Sequence, residues 1–213
     1  MTEKTTTLTQ SEKEHYMRLA MVEAKKAEAI GEVTIGCILV LDGEIIGRGH
    51  NRREETQDAT AHAEMYAIRE ACSKIDSWRL EQSQLFVTLE PCPMCSGAMI
   101  LSRVEEVFFG AYDPKGGTAG TFMNLLADER FNHWSYVEGG ILEDECGALL
   151  TDFFRGIRQR QKLRKQQRKA EVAARIAQQA QALAQLETSE QDDYEPLKST
   201  PEKATENEFY QKD

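Results

Sequence analysis

His62-Ala63-Glu64 and, thirty residues after His62, Pro91-Cys92-Pro93-Met94-Cys95 combine the residue types that hold zinc and move protons. One imidazole and two thiolates are three donors suited to zinc, one fewer than the four of a closed structural site. The open position falls to water, whose pKa drops to about 7 on such an ion, so a hydroxide nucleophile is available at neutral pH. Residues two apart on a helix diverge by about 200°. His62 and Glu64 are therefore not a chelating pair, and Glu64 is expected to flank the water as a proton carrier. Cys92 and Cys95, three apart, share a helical face. Pro93 in a first turn would set both sulfurs at the positive end of a helix, which favours the thiolate zinc requires.

His-x-Glu followed by Pro-Cys-x-x-Cys is a known signature of zinc nucleobase deaminases. The bland alternative is a folding zinc of Cys2His2 or Cys3His type, completed by Cys37, Cys72, Cys146, His50 or His133. None of these stands at a short ligand-pair spacing to another. A redox Cys-x-x-Cys would leave His62 and Glu64 unexplained.

With 213 residues and 40% apolar content, the chain can bury one core of about 150 residues and carry further segments. No apolar run approaches the roughly twenty residues that span a bilayer, and the polar start from Met1 to Gln10 has no signal-peptide core, so a cytoplasmic protein is expected. Five cysteines do not make a disulfide framework at this length. The net charge of −10 argues against indiscriminate coating of nucleic acid, while leaving room for a local basic face.

The elements that must position these residues follow from pattern. Residues 1–10 are expected to be flexible. Ser11 with Glu14 reads as a capping box, and Tyr16, Leu19, Ala20, Ala24 and Ala27 recur at helical spacing up to Gly31. A strand over 36–41, an Asp42-Gly43 turn and a strand over 44–49 make a hairpin. After a loop over 51–58, Thr60 is expected to cap a helix over 61–72, with His62 in its first turn. Residues 85–89 read as a strand, 93–102 as a helix, 104–111 as a strand, 121–127 as a short helix and 136–139 as a short strand. Both ligand groups then lie at helix starts beside strand ends, where open α/β sheets place ligands. The loop 113–120 lacks the Gly-Lys-Ser/Thr ending of a phosphate-binding loop.

A final helix from Asp144 carries Leu149, Leu150, Phe153, Phe154 and Ile157, and the domain that holds the motifs, 11–160, is expected to close near Arg160. Beyond it, 161–186 is a basic, then Ala- and Gln-rich helical extension. Arg155, Arg158, Arg160, Lys162, Arg164, Lys165, Arg168 and Lys169 form a basic run opposed by Glu171, either a solvated face or an RNA-backbone contact. Residues 187–213 are acidic and carry Pro196 and Pro201, a composition that predicts disorder.

The stretch from Tyr16 to Arg160 resembles the bacterial tRNA-specific adenosine deaminases. The likeness is carried by Gly36–Val40, Asp42–Ile46, Gly49-His50-Asn51-Arg52, Thr60–Glu64, Leu85–Gly97, Phe109-Gly110-Ala111, Asp113–Gly117, Phe131-Asn132-His133 and Asp152-Phe153-Phe154. The blocks around Asn51, Asp113 and Asn132 point to the tRNA branch. The resemblance implies a three-layer α-β-α cytidine deaminase-like fold with a five-stranded mixed sheet. It also implies a homodimer with one Zn2+ per subunit, converting adenosine to inosine at the first anticodon position of a tRNA. His62, Cys92 and Cys95 would hold zinc and Glu64 would shuttle the proton. The backbone amides near Ala63 and Cys92 would orient the leaving group and the water. Asn51 would bond the target nucleoside, and Asp113 with Lys115 would line the groove for the anticodon stem-loop. Asn132, His133, Phe154 and Arg155 are further RNA-contact candidates. The chain departs from the family at Thr34, where proline is usual, at Pro93, often valine, and at Trp134, commonly arginine, where an indole could stack on a base instead. A deaminase of free guanine, cytosine or deoxycytidylate is the competing reading.

Overall fold

The computed structural model describes residues 4–192, with side chains to residue 182. Five strands form one sheet in the order β2-β1-β3-β4-β5: β1 Gly36–Leu41, β2 Glu44–His50, β3 Gln84–Leu89, β4 Glu106–Ala111 and β5 Tyr136–Glu138. β1 is antiparallel to both β2 and β3, while β3, β4 and β5 are mutually parallel. Four strands therefore run one way and β1 alone is reversed. The carboxyl ends of β2, β3 and β4 share an edge, and there the chain delivers Asn51, Pro91-Cys92 and Tyr112-Asp113.

Alternation along each strand divides the core into two layers. Cys37, Leu39, Leu85, Val87, Val107 and Phe109 face α3 (Ala63–Lys74) and α4 (Pro93–Ser102) through Ala67, Ala71, Cys95 and Met99. Ile38, Val40, Phe86 and Phe108 face the other way, onto Met17 and Ala20 of α1 (Gln10–Ala29) and Cys146 of α5 (Glu143–Asp192). This is the expected three-layer architecture.

Small residues set how closely α3 lies on the sheet. A Cβ at Gly49 would overlap the Ala63 carbonyl, and one at Gly47 the Ala67 carbonyl. The alanines Ala63, Ala67 and Ala71 form the opposing face. The backbone of β2 thereby holds the start of α3, and with it His62 and Glu64, against the sheet edge.

Several local expectations are corrected. The first helix is capped two residues earlier, by a Thr9–Glu12 capping box, because Thr9 already has the extended backbone a cap requires. The start expected to be flexible is tied down from Lys4 on: Lys4 Nζ bonds Glu105 and the Trp134 carbonyl, and Thr6 Oγ1 bonds Glu106. A four-residue helix, α2 Arg53–Thr56, stands inside the expected loop. Residues 121–127 form turns and an isolated Ala119–Asn124 bridge in place of a helix. Residues 187–192 continue α5 instead of beginning a disordered tail; the rest of that acidic stretch, 193–213, lies outside the described residues. By contacts the described residues form two units, one ending at Gln159 and the other beginning at Arg160.

Candidate active site

His62 and Cys92 occupy equivalent places. Each is the extended residue just before a helix, with φ −84° and ψ 156° for His62 and φ −78° and ψ 170° for Cys92. Such a position usually carries Ser, Thr, Asp or Asn, whose oxygen accepts a helix N–H. Neither side chain here caps its own helix. They turn to one another. Cys92 Sγ lies 3.6 Å from His62 Nδ1 and 3.6 Å from Cys95 Sγ, and Cys95 Sγ is 3.5 Å from the same nitrogen. His62 thus sits one residue outside the helix in whose first turn it was expected. Thr60, the expected cap, is bonded through its amide and hydroxyl to Asp58.

The three donors fit a zinc ion. Ligands at about 2.0 Å (N) and 2.3 Å (S) on a tetrahedral ion stand about 3.5 Å (N to S) and about 3.8 Å (S to S) from one another, within about 0.2 Å of all three separations. Among the described residues His62, Cys92 and Cys95 are the one such group of His, Cys, Asp or Glu, and its three members leave a fourth position to solvent or substrate.

Electrostatics favour a cation in the same place. The Cys95 thiol, hydrogen-bonded to Cys92, together with the His62 ring, holds the Cys92 thiol down to about 4 despite burial. Cys95, beside the Cys92 thiolate and buried, is pushed far up. The pair thus shares one negative charge readily and resists a second until a dication relieves it. Glu64, almost fully buried in the first turn of α3, has its carboxyl raised above the ordinary range. Burial is the main cause, and the His62 imidazole pulls the other way. A carboxyl raised in this way holds a proton more readily than a free one, which suits it to taking and giving a proton.

Asn51 is brought to this cluster. It is buried, and its Oδ1 accepts the Ala63 N–H at 3.0 Å, while its NH2 takes no partner among the described residues. Of the backbone amides near Ala63 and Cys92 expected to orient the leaving group and the water, the Ala63 N–H itself donates to Asn51 Oδ1.

Glu90 was not singled out in the sequence, yet it connects the ligands to the neighbouring loop. Buried at the end of β3, its carboxylate accepts the amides of Asp113 (3.0 Å), Ala119 (3.0 Å) and Thr121 (2.9 Å), and the Thr121 hydroxyl. Burial alone would raise this carboxyl; the hydrogen bonds from Thr121, Asp113 and Ala119 overcome it and hold it below its usual value. Gly117 makes room, since a Cβ there would strike the Glu90 carboxylate. Thr118 adds two bonds to the Pro91 carbonyl and one to Ser96 on α4. The one sequence signal for Glu90 was an acidic residue between an apolar strand and the Pro-Cys-x-x-Cys motif.

Asp113 and Lys115 lie on the loop that Glu90 gathers. Asp113 Oδ1 accepts the Lys115 amide at 2.9 Å, and the Lys115 side chain is exposed. Asn132 and Phe154 are exposed on separate segments, with no hydrogen bond to the cluster, and Phe154 packs edge-on against Phe153. His133 Nε2 bonds the Val104 carbonyl at 2.7 Å, a structural tie, and Arg155 pairs with Asp152. Trp134, considered for base stacking, has Lys4 Nζ 4.7 Å from its ring centre.

Comparison with known proteins agrees with this geometry. The family described as the cytidine and deoxycytidylate deaminase zinc-binding region matches residues 10–111. The tRNA-specific adenosine deaminase of Bacillus subtilis (strain 168) is 60% identical over 149 residues, covering 70% of this chain and 92% of that protein. The protein of the same name from Aquifex aeolicus (strain VF5) is 46% identical over 149 residues, covering 68% and 96%. A solved structure from a study of A-to-I editing by tRNA:A34 deaminases at the wobble position of transfer RNA is 43% identical with a TM-score of 0.61. It covers 64% of this chain and 99% of that one.

Proposed function

This chain belongs to the tRNA-specific adenosine deaminases, and from that membership we propose that it hydrolyses adenosine to inosine at the wobble position of a tRNA anticodon, releasing ammonia. The observation that carries the proposal is the His62–Cys92–Cys95 triangle beside buried Glu64, in a chain 60% identical to a relative of that name. His62, Cys92 and Cys95 would hold one zinc per subunit. Bound there, the metal would supply Lewis-acid activation of a water for attack on carbon 6 of the flipped-out adenine.

The remaining work falls to the chain itself. Glu64 takes one proton from the attacking water and delivers it to the purine ring, then takes the second from the new hydroxyl on carbon 6 and passes it to the departing amine, an assistance worth about 10²–10⁴ in rate. Its burial excludes bulk water from that exchange. Asn51, locked by the Ala63 amide, presents its NH2 to the nucleoside. The Glu90-gathered loop offers Asp113 and Lys115 to the anticodon loop, and exposed Asn132 and Phe154 are assigned outer RNA contacts.

We assign a homodimer in the cytoplasm. Leu101 on α4 is 75% exposed, with Phe122 and Met123 at 60% and 53%, apolar area of the kind a second copy covers. Among the described residues no helix is long and apolar enough to cross a membrane.

The test offers an anticodon stem-loop and free adenosine, cytidine and guanine side by side. Wild type should release ammonia from the stem-loop, and Glu64→Ala should keep its zinc and its RNA binding while losing at least 10²-fold in kcat. Release from free compounds alone would replace the tRNA assignment with a free-base deaminase, and undiminished turnover by Glu64→Ala would remove Glu64 as the shuttle.

A further inference from the structure

The stretch from Arg160 to Arg175 sets itself apart from the rest of the chain by charge. Seven of its sixteen residues are Lys or Arg and one, Glu171, is acidic, in a protein whose net charge is −10. All of it is helical, as part of α5, and every residue of it is exposed. Among the described residues none of these seven cations has an ion-pair partner within 4.0 Å, whereas Arg155, one turn earlier, pairs with Asp152.

The pattern is an awkward one for a solvated helix. Arg160 and Arg164, Arg164 and Arg168, and Lys165 and Lys169 are like charges at i,i+4, a spacing at which side chains are neighbours and repel. Lys162, Lys165 and Lys169 follow one face, and Arg160, Arg164, Arg168 and Arg175 another, so the helix is basic on two sides over about 22 Å. Val172 and Ile176, 52% and 60% exposed, bury no face that would hold it in place. Helix propensity is its main internal support, since no Gly or Pro occurs in it. A row of phosphates placed along it would neutralise the repulsion and release condensed counterions.

We infer that this helix is a second grip on the tRNA, contacting backbone phosphates and not bases, and adding affinity without taking part in the chemistry. The inference rests on the tRNA reading above. Side chains spread over two faces of a single helix suit a phosphate backbone and offer no fixed array for reading base edges. The occupant is the substrate itself because it is the polyanion the enzyme must hold, and the charge is complementary.

The experiment compares the full-length zinc enzyme with the full-length Lys162→Gln/Lys165→Gln/Lys169→Gln variant, substitutions that preserve helix propensity. Binding of a full-length tRNA transcript is measured from 50 to 200 mM salt, and kcat is measured at saturating tRNA. The variant should bind roughly tenfold more weakly, with a plot of log K against log salt shallower by about 2–3, and an unchanged kcat. An unchanged affinity and slope, with helix content verified by circular dichroism, would overturn the grip. So would a variant that alters only the oligomeric state, which would make this helix an interface between copies. Failure of the tRNA reading looks different: wild type itself would then not deaminate the transcript.

Discussion

At the residue scale, two acidic side chains do different work because their surroundings differ. Glu64 has few hydrogen bonds to its charged form and is pushed upward by burial, whereas Glu90 is equally buried but collects three amides and a hydroxyl and is held down. The first is left able to exchange a proton and the second is a fixed anion that gathers a loop. Glu90→Gln keeps the shape but gives one end of the side chain an NH2. If its oxygen keeps the Ala119 and Thr121 amides, the NH2 meets the Asp113 amide and two donors face each other. The Asp113–Lys115 side of the loop should detach while the Ala119 side stays. We expect a loss of about 1–3 kcal/mol in stability, a KM for stem-loop RNA raised about tenfold, and near-normal zinc content. Equal KM for both enzymes, measured with zinc-loaded protein, would mean the loop takes no part in holding RNA. Glu90 was illegible in the sequence because its partners lie 23 to 31 positions away and three of them are backbone amides, which no side-chain pattern announces. Thr34, where the family usually has proline, leaves its buried hydroxyl without a hydrogen-bond partner among the described residues. Its replacement of proline is visible in the sequence, but the orphaned oxygen is not.

At the scale of elements, what was legible is what is locally determined. The β1–β2 hairpin follows from Asp42-Gly43, both at positive φ (51° and 79°), as a two-residue turn requires. The helices carrying the metal ligands follow from apolar spacing and from Pro93 at the start of α4. The misread segment 121–127 has apolar residues near helical spacing, but Glu90 draws the Thr121 amide away and Gly120 and Met123 close a turn, so a contact from another element decides its shape. His62 lies before its helix because Asp58 occupies Thr60, again a bond the periodicity does not encode. The approach of α3 to β2 supplies a paired prediction. Gly49→Ala should force the Ala63 end of α3 off the sheet, costing about 1–3 kcal/mol and lowering zinc occupancy. Gly97→Ala, in α4 with nothing within 4 Å of the added carbon among the described residues of one subunit, should stabilise the isolated subunit by about 0.5–1 kcal/mol. Thermal unfolding with zinc analysis of both variants checks the pair; equal melting temperatures would show that the α3–β2 contact does not hold the site.

At the scale of the whole molecule, a metal held by His62, Cys92 and Cys95 would tie together segments that the sheet only brings close. His62 comes from the loop after β2 and Cys92 and Cys95 from the turn after β3, so an ion bound there would bridge chain positions 30 and 33 residues apart. A ligand that binds the folded state and not the unfolded one stabilises by RT ln(1 + [L]/Kd), about 4 kcal/mol at a thousandfold excess over Kd. For a unit the size of residues 1–159 that is roughly 8–16 °C in melting temperature. A strong chelator should therefore abolish deamination and lower the melting temperature by that order, and added zinc should restore both. A protein ending after Arg160 should show the same drop and the same recovery if residues 11–160 are the metal-binding domain. An unchanged melting temperature after verified removal of zinc would mean that the sheet and its two helical layers alone hold the three donors in place, and that the ion serves the chemistry without contributing to the fold.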